Sequence, residues 1–192
     1  LLVRGGQEAV SPGTLHIEGD WSHAAFYLVA GAIGRGEIRL TGLDPHSAQG
    51  DRAMVEILRD MGAEIRWEGE TLVSRASRLH GLRVDCAQIP DLVPILAVAM
   101  AAAEGESRIT GAARLRIKES DRLSAMAAAL TAAGADVSEL PDGLIIRGGK
   151  RLHAAKIEGC NDHRIVMAMT MASEIADGEL MITDAEATAK SA

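Results

Sequence analysis

Three apolar stretches recur along the chain, and each begins just after an acidic residue. The acids are Asp20, Asp91 and Asp162, so successive copies lie 71 residues apart, and a fixed spacing of this kind predicts an internal repeat. Each stretch is apolar on every side, which predicts a helix that is buried all round, and an acidic residue before it is a common N-cap. The stretches cover residues 24–33, 93–103 and 165–175.

Shorter patterns follow these stretches in the same order in each copy. A Gly-Glu pair and a strand pattern come next, and the first two copies continue with an amphipathic helix over 51–61 and 121–133. That helix ends at a glycine before another strand, which is a usual helix exit, and a two-stranded return closes the copy. With a strand before each apolar stretch, at 14–17, 82–85 and 155–157, the repeating unit is βαβαββ.

The order of these elements predicts the fold class and the domain limits. The first helices are apolar all round and the second helices have one apolar face, so we expect an α/β fold with helices inside and sheets outside. A chain of 192 residues that is 47% apolar is long enough for one sizeable core. We predict a single globular domain with repeats over about 14–78, 82–150 and 155–192, the third of which stops before its second helix.

The most highly charged stretch, residues 114–123, opens the second helix of the middle copy. It holds four cations and two carboxylates, and Ser120 or Asp121 is expected to cap the helix. If rotation relates the copies, the helix ends that carry the three acids converge on one face. Free N–H groups at those ends, with Lys118 and Arg122 nearby, predict an anion-binding surface. The alternative is a solvated, charged first turn.

Composition narrows the function classes. A net charge of −7 argues against general nucleic-acid binding, although a local cationic cleft still allows a small anionic ligand. The longest apolar runs fall short of the ~18 residues that a membrane span needs. Cys86 and Cys160 lack metal-ligand spacing and are expected to be inert apolar fillers. We therefore predict a cytoplasmic protein without a metal site.

Five short motifs occur in order along the chain. They are Gly-Asp-Trp-Ser (19–22), Ile-Pro-Asp (89–91), Arg-Ile-Lys-Glu-Ser-Asp-Arg-Leu (116–123), Asn-Asp-His-Arg (161–164) and Thr-Ala-Lys-Ser (188–191). Together they resemble the carboxy-terminal half of the 5-enolpyruvylshikimate-3-phosphate synthases, over essentially the whole chain. The resemblance implies an inside-out α/β barrel of three βαβαββ units. It also implies a monomeric enzyme without cofactors, whose active site lies in a cleft against a separate amino-terminal domain.

Members of this family join shikimate-3-phosphate to phosphoenolpyruvate and release phosphate by addition and elimination. That chemistry needs a base for the attacking hydroxyl, an acid for the methylene carbon, and cations for a carboxylate and two phosphates. By resemblance, Asp91 contacts the acceptor hydroxyls and is the candidate base. Glu119 is the candidate acid/base at the methylene carbon, and Lys118 contacts the acceptor ring or the reacting centre. The plainer interpretation of Asp91 is a helix cap.

The resemblance also assigns the remaining cations. Arg122 and Arg164 are expected to hold the phosphoenolpyruvate carboxylate, because a planar guanidinium suits a planar anion. Lys190 is expected to pair with the phosphate or the carboxylate of the same donor. His163 is either a structural histidine or a proton carrier. Arg114 stands where some family members carry an asparagine that contacts the acceptor phosphate, so its role is open.

Two other functions stay open at this point. A UDP-N-acetylglucosamine enolpyruvyl transferase would share the fold and the donor, but the Lys-Glu-Ser-Asp-Arg motif argues against it. A non-catalytic binding module is the alternative of another class. Because the amino-terminal domain is absent from this chain, we expect the chain alone to have no appreciable turnover.

Overall fold

A computed structural model describes residues 2–8, 10–11, 13–14 and 16–191, with the side chains of Lys190 and Ser191 left out. The helices are α1 (Trp21–Ile33), α2 (Met54–Asp60), α3 (Val93–Ala102), α4 (Arg122–Ala132) and α5 (His163–Ala172). The strands are β1 (Glu37–Leu40), β2 (Glu64–Glu68), β3 (Thr71–Arg75), β4 (Arg83–Asp85), β5 (Gly105–Thr110), β6 (Asp136–Leu140), β7 (Gly143–Gly148), β8 (Leu152–Ile157) and β9 (Ala176–Ile182).

The strands form three sheets that follow the order of the copies. The first sheet has the order β1-β3-β2, the second β4-β5-β7-β6, and the third pairs β8 with β9. The pairs β4–β5 and β8–β9 are parallel, whereas the others are antiparallel. Each parallel pair brackets an apolar helix, so each is a crossover from strand through helix to strand.

The first copy lacks the strand that the sequence predicts over residues 14–17. Within that segment the described residues, 14, 16 and 17, form no strand. Ile17 is 76% exposed, so the apolar side chain that suggested a strand has no surface to pack against. The other predicted leading strands are present as β4 and β8.

The apolar helices form the core, and α3 lies at its centre. Every residue of α3 from Val93 to Ala101 is buried, and α1, α3 and α5 contact one another. Alanine-rich sequence permits this arrangement because small side chains let three helices approach closely without a polar face between them. Among the described residues, no helix combines the length and apolarity needed to cross a bilayer.

The outer face of the first sheet carries a closed ring of ion pairs. Three arginines alternate with three glutamates in the order Glu37, Arg39, Glu68, Arg66, Glu64 and Arg75. The side chains are partly exposed, as expected for ion pairs on a solvated surface. The sheet therefore faces solvent on this side and covers α1 on the other, where Ser74 donates a 2.7 Å hydrogen bond to the Leu28 carbonyl.

The two cysteines differ in their surroundings. Cys86 is buried, and burial raises the pKa of its thiol to about 12, with a further contribution from the charge of Asp85. This agrees with an inert apolar filler. Cys160 is exposed, so the expectation of a buried filler is wrong there. It lies at positive φ in the turn before α5, where the chain bends and leaves the side chain outside the core.

Close packing of α1 on the first sheet generates a stability prediction. A Cβ at Gly31 would lie 2.8 Å from the Ser74 carbonyl oxygen and 2.9 Å from its Cβ. We expect Gly31→Ala to lower the free energy of unfolding by about 1–3 kcal/mol through overpacking, although alanine favours helix by about 1 kcal/mol. Urea denaturation measures this, with Gly36→Ala as the control because a Cβ there meets open space. Equal stability of the two variants would contradict the close approach.

Candidate active site

The starts of three helices from three copies lie together on one face. Arg164, in the first turn of α5, donates to Ser22 Oγ of α1 at 3.1 Å and to the Asp91 carbonyl, before α3, at 3.2 Å. Arg122, at the start of α4, donates to Asp162 beside α5 at 2.8 Å and to Asp91 at 3.0 Å. This is the convergence that the repeat spacing predicts, and it brings residues separated by up to 142 positions into contact.

Two of the three repeat-related acids are helix caps, and the third is not. Asp20 accepts from the Ser22 amide at 2.7 Å, and Asp162 accepts from the Arg164 amide at 3.0 Å. Asp91 lies within the short 3-10 turn Pro90–Leu92 that leads into α3, and its side chain makes no capping hydrogen bond. Its carboxylate is therefore free to interact with other groups on the face.

Three cations surround the Asp91 carboxylate. Arg122 Nη1 lies 3.0 Å from Oδ1, Lys118 Nζ lies 3.5 Å from Oδ1, and Arg164 Nη2 lies 3.8 Å from Oδ2. The Asp91 side chain is 33% exposed, so it stays accessible to a ligand from the solvent side. A carboxylate held by cations but still open to solvent can accept hydrogen bonds from hydroxyl groups.

Arg122 is the buried hub of the face. Its side chain is 1% exposed, yet it carries a full positive charge. Nε and Nη2 donate to the two Asp162 oxygens at 2.8 and 3.2 Å, Nη2 also donates to Glu119 at 2.6 Å, and Nη1 donates to Asp91. A buried cation needs such counterions. Three carboxylates therefore accept most of the Arg122 N–H hydrogen bonds that the sequence led us to expect for a substrate anion.

Lys118 and Glu119 project from a loop that its neighbours hold in place. The loop joins the 3-10 turn Ala113–Ile117 to α4, and Ser120 Oγ anchors it by donating to Asp162 at 3.0 Å. Asp121, rather than Ser120, caps α4 through the Ser124 amide at 3.1 Å. The side chains of Lys118 and Glu119 remain partly exposed, so both can reach a ligand above the face.

The two remaining candidates with described side chains lie at the edge of this cluster. His163 Nδ1 is buried and has no hydrogen-bond partner among the described residues; it lies 3.8 Å from Asp162. Arg114 is exposed and donates to the Ala87 carbonyl at 2.6 Å, so it braces the loop before Asp91. The backbone of Lys190 belongs to the 3-10 turn Ala185–Ser191, while its predicted contact involves a side chain outside the described set.

Electrostatics separate the buried Asp162 from the partly buried His163. Burial acts to raise the pKa of Asp162, but the hydrogen bond and charge of Arg122 outweigh it, so the pKa lies below the ordinary value. Burial and then the charge of Arg164 lower the pKa of His163. Asp162 is thus ionised and His163 is neutral at pH 7. The ion pair between Arg122 and Asp162 is therefore intact at this pH.

The family follows from comparison with known proteins. The family model for EPSP synthase (3-phosphoshikimate 1-carboxyvinyltransferase) matches residues 1–192. The chain belongs to the EPSP synthase family. Its clustered residues, Asp91, Lys118, Glu119, Arg122 and Arg164, are those that the motifs of this family singled out in the sequence.

Curated relatives in the EPSP synthase family are about twice as long as this chain. A 3-phosphoshikimate 1-carboxyvinyltransferase from Ruminiclostridium cellulolyticum is 45% identical over 187 residues, covering 97% of this chain and 44% of the relative. One from Halobacterium salinarum is 44% identical over 191 residues, covering 96% and 44%. The chain therefore spans less than half the length of the relatives that it matches.

Solved structures share the mixed α/β fold. EPSP synthase from Acinetobacter baumannii superimposes with a TM-score of 0.78 at 33% identity, covering 91% of this chain and 44% of that one. The enolpyruvyl transferase NikO from Streptomyces tendae gives a TM-score of 0.69 at 17% identity, covering 91% and 41%. The second likeness concerns the fold alone.

Sequence reasoning missed the residues that hold this EPSP synthase face together. The sequence indicates Asp162 only as a cap, whereas in the structure it is also the main counterion of Arg122. The sequence gives no separate role to Ser22, which accepts a hydrogen bond from Arg164. Two arginines placed near repeat-related acids are a signal for such pairing. The signal does not identify which acid meets which arginine, because that depends on how the copies pack.

The double role of Asp162 can be tested against Asp20, which caps α1 and has the partly exposed His23, 3.7 Å away, as its neighbour instead of a buried arginine. Asparagine caps helices nearly as well as aspartate, so we expect Asp20→Asn to change the free energy of unfolding by less than about 0.5 kcal/mol. Asp162→Asn also removes the counterion of a buried arginine and should cost about 3 kcal/mol. Urea denaturation of both variants at pH 7 gives the comparison. Similar small losses would mean that Arg122 does not depend on Asp162.

The lowered pKa of His163 predicts a pH dependence of stability. Because the folded-state pKa lies below that of the unfolded chain, about 6.5, the unfolded state takes up the proton first as the pH falls. Stability from neutral His163 is present above pH 6.5 and decreases as the pH falls toward the folded-state pKa. His163→Gln should make the free energy of unfolding, measured with urea, depend less on pH between 7.5 and 5.5. His46→Gln, which removes an exposed loop histidine, is the control, and an unchanged slope in His163→Gln would refute the assignment.

Proposed function

We propose that this chain is one half of a 3-phosphoshikimate 1-carboxyvinyltransferase, which transfers the enolpyruvyl group of phosphoenolpyruvate to the 5-hydroxyl of shikimate-3-phosphate and releases phosphate. The observation that carries the proposal is the uncapped Asp91 carboxylate, held open to solvent by Arg122, Lys118 and Arg164. A capping role would have explained the aspartate in this motif on structural grounds alone. Asp91 makes no capping hydrogen bond, so that explanation does not apply.

In this proposal each side chain on the face has one task. Asp91 accepts hydrogen bonds from the acceptor hydroxyls and takes the proton of the attacking one, while Glu119 gives a proton to the methylene carbon and recovers it on elimination. Lys118, which lies beside Asp91, stabilises negative charge at the reacting centre. Arg164 contributes its guanidinium to the donor carboxylate, and Lys190 pairs its ammonium group with the phosphate or the carboxylate of the same donor.

Arg122 requires a rearrangement before it can hold the donor carboxylate. Its Nη2 donates to Glu119 at 2.6 Å, and that carboxylate is partly exposed, whereas Asp162 is fully buried. We propose that the donor carboxylate displaces Glu119 and leaves the Asp162 pair in place. The exchange would bind the donor and release Glu119 for proton transfer in one step.

Charge balance on the face supports the need for another domain. The cations Lys118, Arg122 and Arg164 are matched in number by the carboxylates of Asp91, Glu119 and Asp162, whose ion pairs link them. No surplus positive charge is left on these six residues for two phosphates and a carboxylate. We propose that the missing half of the relatives' length supplies it, across a cleft above this face.

The architecture that we propose for this half is the inside-out barrel of the enolpyruvyl transferases, in one domain of three repeats over about 14–78, 82–150 and 155–192. The buried α3 and the ion-pair ring on the outer face of the first sheet support helices inside and sheets outside. The parallel pairs β4–β5 and β8–β9 support the repeat.

A complementation assay tests the function. The chain alone should release no appreciable phosphate from shikimate-3-phosphate and phosphoenolpyruvate, because its cations are already neutralised. Mixing it with the amino-terminal half of the Ruminiclostridium cellulolyticum relative should restore turnover. In that mixture we expect Asp91→Asn and Glu119→Gln to lower kcat by about 10²- to 10⁴-fold.

The control for this assay is Asp60→Asn, which removes an exposed carboxylate at the end of α2. It should leave the restored rate unchanged. Turnover by the chain alone near that of the mixture would refute the half-site model. Full activity of Asp91→Asn in the mixture would refute the catalytic assignment while leaving the family membership intact.

A further inference from the structure

Asp51 belongs to the same face although no family motif pointed to it. It lies in the 3-10 turn Gly50–Ala53 and precedes Arg122 by one repeat length of 71 residues. The Gln49 side chain fixes this turn beside α1, accepting from the Trp21 amide and donating to the Gly19 carbonyl, both at 3.0 Å. The turn also approaches the segment before Asp91, since a Cβ on Gly50 would lie 3.5 Å from the Gln88 carbonyl oxygen.

The carboxyl of Asp51 differs from the other acids of the face. Asp20, Asp91, Glu119 and Asp162 each form a hydrogen bond or a short ion pair. Asp51 is partly buried and forms neither with any residue that the structure describes. The Asp51 oxygens are not fully buried, so this carboxyl is available to a ligand that enters the candidate site.

The carboxyl of Asp51 adds negative charge to the corner of the face that holds Asp91. Burial, and then the charge of Asp91, raise the pKa of Asp51; Asp20 acts in the same direction, while Arg164 and Lys118 oppose it. Asp51 thus acts against Arg164 and Lys118. The buried guanidinium of Arg122 lies on the side of the face where Asp162 and Glu119 are its partners.

We propose that Asp51 is a specificity-determining residue, which repels anionic groups from the corner beside Asp91 and so leaves that corner to the hydroxyl-bearing side of the acceptor. Carboxylates accept hydrogen bonds from hydroxyls but repel phosphate and carboxylate. Asp51 thus orients a molecule that carries both kinds of group. The identity of that acceptor rests on the proposed function, whereas the repulsion of anions does not.

Sulfate titration of the chain tests the repulsion directly. The amide signals of Asp91, Lys118 and Arg164 are followed by NMR at pH 7.5, with circular dichroism to verify folding. Removing one negative charge that acts on Arg164 and Lys118 should raise sulfate affinity about fivefold in Asp51→Asn. The matched control, Asp60→Asn, removes the same charge from an exposed site and should change sulfate affinity by less than about 1.5-fold.

Each result of the titration decides the proposal. A gain in Asp51→Asn alone supports it. Equal affinity in the wild type and Asp51→Asn, an equal gain in the Asp60→Asn control, or no sulfate binding to either protein overturns it. Asp51→Ser is the second variant, and loss of folding in both would show a structural role and overturn the proposal as well.

A parallel titration with shikimate-3-phosphate separates this inference from the proposed function. If the wild-type chain binds sulfate at these amides but shikimate-3-phosphate elsewhere, the proposed function fails while the repulsion by Asp51 stands. If shikimate-3-phosphate binds at these amides and Asp51→Asn leaves sulfate affinity unchanged, the function stands and the role of Asp51 fails.

Discussion

The ion pair between Arg122 and Asp162 is the constraint on which the candidate site depends. Both side chains are almost completely buried, and neither charge would be tolerable there without the other. Asp162 also caps α5 and accepts from Ser120, so one carboxylate joins the start of α5, the start of α4 and the loop that carries Lys118 and Glu119. The positions of the exposed, reactive side chains thus follow from a buried interaction that takes no part in the proposed chemistry.

The repeat gives equivalent positions different chemistry. Asp20, Asp91 and Asp162 share a place before an apolar helix, yet one is a cap, one a cap and counterion, and one an open carboxylate. The difference at Asp91 comes from the 3-10 turn Pro90–Leu92, which moves the acid out of the cap position. Three similar helix starts therefore lie on one face, and the local 3-10 turn is what distinguishes Asp91 from the other two acids.

The charges on the face largely balance one another. Its paired charges neutralise one another, so the helix ends that looked like an anion-binding surface in the sequence have little affinity to spare for several anions. The carboxylate of Glu119 is partly exposed and pairs with the buried Arg122. A ligand carboxylate can take its place in this pair. In the proposed function, donor binding and proton transfer would then be linked through one exchange of partners.

The sequence by itself determined the elements and the list of candidate residues, because caps, helix exits and apolar periodicity are local signals that span only a few residues. It also predicted that the helix ends beside Asp20, Asp91 and Asp162 converge on one face, since equal spacing places these acids at equivalent helix ends if rotation relates the copies. It failed at residues 14–17, where an apolar pattern found no surface to pack on. Only the tertiary structure decided that Arg122 is buried and paired with Asp162, that Asp91 is uncapped, and that the turn carrying Asp51 lies beside the start of α1. Those facts depend on contacts between side chains about 30 to 40 positions apart or more, and packing of the three copies, rather than any local pattern, selects such partners.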